Sequence, residues 1–150
     1  MLFSLKATSS QKEWVVLNEA NPVKCEPVFS SSAINQSEVT FNLPGFFKEE
    51  KQTPQVKAFV ISIPGGGKIL QAGIPDLPQL AFSLSIPDDT EMIAVVSSSQ
   101  YSDYHLPVAP SKGNLKRNID PSQIPYTYSS VYSSNNFYPT EIVRSKTDRT

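Results

Sequence analysis

The chain has 150 residues, enough for one domain with a sizeable core. Its formal net charge is −1 with 18% charged residues, so it lacks the clustered basic excess of a nucleic-acid binder. No apolar run is long enough to cross a bilayer, and a lone cysteine and a lone histidine exclude an internal disulfide and cannot by themselves complete a zinc site.

In chain order, the first feature is the apolar patch Leu2-Phe3-Ser4-Leu5. It is too short for a signal-peptide core and lacks a basic start. Either the chain is cytoplasmic or a signal has been removed. The helix period is almost absent, and the 13 prolines interrupt helices and central strands alike. Short strands joined by turns are the expected architecture. Trp14-Val15-Val16-Leu17 is a plausible first strand. Val39 to Leu43 alternates with period two, which sets one face on a core and the other in solvent. Lys57 to Ile63 is β-branched and stops at Pro64. Leu80 to Ile86 alternates and stops at Pro87. Met92-Ile93-Ala94-Val95-Val96 is continuously apolar, as in a strand buried on both faces. Asn42-Leu43-Pro44-Gly45, Pro64-Gly65-Gly66-Gly67 and Pro87-Asp88-Asp89 supply turns, the first two through glycine at positive φ.

From about Tyr101 the pattern changes. His105 to Pro139 is rich in proline, tyrosine and serine and has few alternating runs. It reads as an extended arm anchored by Tyr126, Tyr128, Tyr132, Phe137 and Tyr138. Long irregular segments in compact domains are usually functional or disordered, and this much aromatic area favours order. The expected organisation is a single all-β domain: a jelly-roll-like antiparallel β-sandwich over residues 1–100, with a loop and arm over 101–150.

Most apparent chemical motifs dissolve on inspection. Gly65-Gly66-Gly67-Lys68 lacks the spacing and following helix of a phosphate-binding loop and reads as a hairpin turn. Cys25 and His105 are 80 positions apart without a local nucleophile signature, so Cys25 reads as a structural residue and His105 as part of a turn. Glu49-Glu50 and Asp88-Asp89 are adjacent pairs whose side chains diverge, which suits solvated turns better than calcium binding or glycoside hydrolysis. No metal, cofactor or catalytic residue is expected.

One long segment carries a resemblance. Ala109-Pro110-Ser111-Lys112-Gly113, followed by Lys116-Arg117-Asn118-Ile119-Asp120-Pro121 and by Ile124-Pro125-Tyr126, resembles the propeptides of gingipain-family secreted cysteine peptidases. Gly73-Ile74-Pro75-Asp76-Leu77-Pro78 upstream and Phe137-Tyr138-Pro139-Thr140-Glu141 downstream are similar to further elements of those propeptides, in the same order. Thr140 stands where the family usually has glycine. The resemblance covers Lys68 to Val143. The family propeptide runs on into further strands, so a truncated piece or a stand-alone relative is expected.

The resemblance implies a non-catalytic, inhibitory propeptide. Its partner would be the catalytic domain of a gingipain-type cysteine peptidase, and it would be secreted, periplasmic or on the cell surface of a Gram-negative, Bacteroidetes-type bacterium. Neither membrane nor nucleic acid is an expected partner. In such propeptides a loop enters the active-site cleft, and a basic side chain fills the pocket that selects Arg or Lys. Arg117 matches that position, with Lys116 as runner-up. The flanks are Pro110, Lys112 and Gly113 on the leading side and Asp120, Pro121, Pro125 and Tyr126 on the trailing side. An arginine fork suits a pocket carboxylate because it bonds both oxygens at once. Pro110, Pro121 and Pro125 stiffen the flanks, which reduces the ordering cost of binding. The opposing expectation is a bare solvated cluster of Lys112, Lys116 and Arg117. The rival function is a β-sandwich module binding carbohydrate or protein, with Trp14 and the tyrosines exposed on one flat face.

Overall fold

The computed structural model describes residues 10–146, so the Leu2–Leu5 patch lies outside the described residues. Seven strands form three small antiparallel sheets, and there is no α-helix among the described residues. Strands β1 (Lys12–Val16), β4 (Gly45–Gln52) and β5 (Lys57–Ser62) make a three-stranded sheet in the order β1-β4-β5. Strands β2 (Pro27–Ala33) and β3 (Gln36–Phe41) form a hairpin, and the two-residue strands β6 (Gly67–Lys68) and β7 (Pro78–Gln79) pair with each other.

The all-β expectation therefore holds, whereas the full strand set of a jelly roll is not laid out. Two expected strands do not form. Residues 80–87 and 91–100 are irregular, with Ile93 83% and Val95 79% exposed. Among the described residues no strand pairs with them, and alternation alone cannot make a ladder. The Phe82 ring instead leans on the β2–β3 hairpin, 5.7 Å from Phe29 and 5.4 Å from Phe41.

Conversely, β4 forms where the carboxylate pair Glu49-Glu50 had suggested a turn. Its charges are satisfied by neighbours: Lys48 pairs with Glu13 at 3.0 Å, Glu50 with Lys57 at 3.0 Å, and Glu49 with Lys51. Phe47 packs edge-on against Trp14 with centroids 4.9 Å apart. The expected positive-φ turn at Asn42–Gly45 is corrected too. Gly45 is not at positive φ; a Cβ there would fall 2.5 Å from the Trp14 ring, so glycine permits a close strand approach. The turn at Pro64-Gly65 does use positive φ, 75° at Gly65, but it leads into β6 rather than closing a hairpin. A turn also forms at Asp88-Asp89, where the Thr90 amide donates to Pro87.

The core is small and centred on β5. Ala58 and Ile61 of that strand are buried with Ile74, Ala109 and Pro110. Segment 107–111 is sewn between two neighbours. Phe59 N donates to Pro107 O (2.7 Å) and Ala109 N to Phe59 O (2.8 Å), which makes a parallel bridge to β5. On the other side Asp76 N donates to Ala109 O (2.9 Å), Ser111 N to Ile74 O (2.7 Å) and Gly73 N to Ser111 O (2.9 Å).

Candidate functional site

The segment after this buried spine makes an outward loop. Lys116, Arg117, Asn118 and Ile119 form a β-turn closed by Ile119 N donating to Lys116 O at 3.0 Å. Leu115 and Ile119 are half-buried, whereas Lys116, Arg117 and Asn118 are exposed. Among the described residues no ion pair engages Lys116 or Arg117. Arg117 thus stands at a turn corner with its guanidinium available to a partner.

The leading foot of the loop is deeply held. Pro110 is fully buried and Ser111 is 3% exposed. Ser111 Oγ accepts from Gly113 N at 3.1 Å. Gly113 takes φ 81°, the left-handed region in which a side chain is strained, and its missing Cβ would meet Ala72 at 3.1 Å. Lys112 is half-buried. Its ammonium group donates to Pro121 O at 2.6 Å and stands 4.3 Å from the centre of the Tyr126 ring.

The trailing foot is held locally and then by phenols. Asp120 caps a short 3-10 turn at Pro121–Gln123, its Oδ1 accepting from Ser122 N at 2.9 Å. The bonds from the Ser122 backbone and hydroxyl, with a smaller effect of Lys112, hold the Asp120 carboxyl below its ordinary pKa. Pro125 is exposed and Tyr126 half-buried; burial pushes the Tyr126 phenol up. Further on, the Tyr128 hydroxyl lies 2.5 Å from Thr53 Oγ1, Ser129 N donates to Gly73 O, and the Tyr132 hydroxyl donates to Val108 O at 3.0 Å. The Tyr128 and Tyr132 rings meet edge-on, 4.7 Å between centroids. Burial, and then the neighbouring Tyr128, push the Tyr132 phenol far up. Phe137, expected to be an anchor, is instead 93% exposed.

The structure therefore brings Lys112, Pro121 and Tyr126 together around the neck of the loop and leaves Lys116 and Arg117 at its tip. Sequence reasoning missed the Thr53–Tyr128 bond and the Lys112–Pro121 bond. Neither has a local signal, since one partner of each is a backbone carbonyl or a residue 75 positions away.

The remaining candidates do not form sites. Cys25 is buried, donates to Asn42 O at 3.3 Å, and has its thiol pKa raised by burial and then by the Glu26 charge. His105 is exposed, and no metal-binding group of three His, Cys, Asp or Glu exists among the described residues. Trp14 is half-buried, in a T-shaped contact with Phe47 and with its Nε1 donating to Glu19 O, which does not make the flat open face of a sugar-stacking platform.

A propeptide family model, Propeptide_C25, matches residues 21–150. The chain belongs to that family. It is accordingly a non-catalytic prodomain. Gingipain R1 of Porphyromonas gingivalis is 38% identical over 116 residues, and Gingipain R2 of the same organism is 34% identical over 113 residues. These alignments take in 77% and 75% of this chain but only 12% and 15% of those proteins, so the Propeptide_C25 domain is a small part of the curated relatives it matches. Among solved structures, the complex of Porphyromonas gingivalis RgpB pro- and mature domains superposes with a TM-score of 0.72 at 32% identity, covering 77% of this chain and 61% of that one.

Proposed function

We propose that this prodomain holds a C25-type cysteine peptidase inactive by placing Arg117 in the pocket that selects basic substrate side chains, with Lys116 beside it in the same turn. One observation carries the reading: Arg117 is exposed at the corner of a turn whose feet are bonded to the body of the domain. A substrate-like basic side chain on a held loop binds without the ordering cost of a free peptide. The relative solved as a complex of pro- and mature domains supports a catalytic domain as the partner. A complex of ordinary specificity buries upward of ~1,000 Å², more than one loop supplies, so the sheet surface contributes as well. The same kinship supports a secreted or cell-surface setting in a Gram-negative bacterium.

The test is inhibition of an arginine-specific gingipain-type peptidase by the isolated chain. Truncating one partner of a desolvated charged pair costs about 2–5 kcal/mol. Arg117→Ala should therefore inhibit at least about tenfold less well. Equal inhibition by both forms would remove Arg117 from the pocket.

A further inference from the structure

We propose that Lys112 is the positioning residue of the Arg117 turn, its ammonium group acting as a clamp across the neck of the loop; the consequence for inhibition rests on the function proposed above.

The loop between the two feet has little to orient it. From Asn114 to Ile119 the only backbone bond among the described residues is the one that closes the β-turn, from Ile119 to Lys116. The tip makes no backbone hydrogen bond to a sheet. Its direction must therefore be fixed where it leaves and rejoins the body. The leading side is fixed through Ser111 and Gly113. On the trailing side the backbone bonds among the described residues are local, within Asp120 to Ile124, and no hydrogen bond ties it to the sheet until Tyr128 reaches Thr53. Between them, the Lys112 side chain crosses the gap. It reaches a carbonyl nine residues on, at Pro121, and the face of Tyr126 beyond it.

The chemistry at each contact asks for a cation. Pro121 O is a backbone acceptor at the start of the 3-10 turn, and a charged donor bonds it more strongly than a neutral one. The Tyr126 ring presents its negative face to the ammonium at 4.3 Å. Asp120 feels the same charge from the side. Lys112 thus differs in role from Lys116 and Arg117, although all three belong to one basic stretch. The latter two are exposed and make no ion pair among the described residues, while Lys112 is spent within the loop.

The experiment compares the native chain with Lys112→Met and Lys112→Arg in two assays, and adds Arg117→Ala and Lys112→Met/Arg117→Ala in the second. The first needs no partner: cleavage by trypsin after Arg117, mapped by mass spectrometry. Proteolysis of a loop tracks how often it opens to the extended form that a protease needs. Lys112→Met should raise cleavage at that bond about five- to tenfold, and Lys112→Arg, which keeps the charge and a donor, should restore slow cleavage. Unchanged cleavage in Lys112→Met would overturn the clamp.

The second assay is inhibition of an arginine-specific gingipain-type peptidase. Lys112→Met should inhibit about five- to tenfold less well, but should add less than about twofold once Arg117 is alanine, because the clamp acts through that side chain. Full additivity would overturn the positioning role. Faster cleavage in Lys112→Met together with native-like inhibition by Arg117→Ala would uphold the clamp while overturning the pocket-filling function.

Discussion

Thr53 and Tyr128 are 75 residues apart, yet their hydroxyl oxygens lie 2.5 Å from each other. Thr53 is 4% exposed, just after β4, and its hydroxyl also bonds Val56 O. The trailing arm of the loop is thereby pinned to the end of the three-stranded sheet. Thr53→Val keeps the shape and removes the hydroxyl's bonds to Tyr128 and to the Val56 backbone, leaving the phenol and the Val56 amide short of a partner while Val56 O keeps the Thr53 amide. A stranded buried polar group costs about 1–3 kcal/mol. Denaturant unfolding should show a loss of that size. In a double-mutant cycle, Tyr128→Phe added to Thr53→Val should cost less than it does alone, since the two hydroxyls share one bond.

Gly113→Ala tests the leading foot. The left-handed backbone there costs a non-glycine residue about 1–2 kcal/mol, and the new Cβ would press on Ala72. The variant should unfold at lower denaturant and, on the proposed function, should also inhibit less well as the turn shifts. Unchanged stability would mean the backbone relaxes without strain.

The acid limb of stability should depend on Asp120 and Glu49. Both carboxyls are held below their ordinary pKa. At Asp120 the Ser122 bonds are responsible. At Glu49 burial pushes the pKa up, but bonds from Lys51 and Ser10 and the charges of Lys51 and Lys12 outweigh it. A depressed folded pKa gives stability that is fully present above the unfolded value, about 4 for these side chains, and that fades as the pH falls through the folded value. Unfolding midpoints should therefore be level from neutrality to about pH 5 and decline below about pH 4. In Glu49→Gln the decline should be shallower; an identical acid limb would exclude that carboxylate.

Ile93 and Val95 look like core residues in sequence and are exposed in the structure. Ile93→Ser should change stability by no more than about 0.5 kcal/mol, the usual range for surface sites, whereas Ile61→Ser within β5 should cost several times more. Comparable losses would place 92–96 in a packed environment.

How far the sequence could be read follows from how local each cause is. β5 was legible because Lys57 to Ser62 carries a β-branched apolar run and ends just before a Pro-Gly turn. The burial of Cys25 was legible because nothing around it called for reactivity. β2 was not, since Pro27–Ala33 opens on a proline, runs into three serines without alternation, and holds through its register with β3. β4 was obscured by its Lys-Glu-Glu-Lys run, whose charges are neutralised by Glu13, Lys57 and one another. The segments at 80–86 and 92–96 show the reverse error, a strand pattern without a neighbour to pair with. At the loop, the tip was marked by resemblance to known propeptides. The clamp was invisible because one of its partners is a main-chain oxygen.

The stretch from Pro107 to Ser111 shares backbone bonds with β5 on one side and with residues 73–76 on the other, and its Ala109 and Pro110 are, with Ala58, among the least accessible of the described residues. The turn that follows is therefore no appendage that can melt while the rest stands. Its display and the integrity of the central strand rise and fall together. Heat, denaturant or a cut that frees β5 would dismantle the displayed arginine in the same event, so the domain should lose its hold on a partner abruptly rather than by degrees.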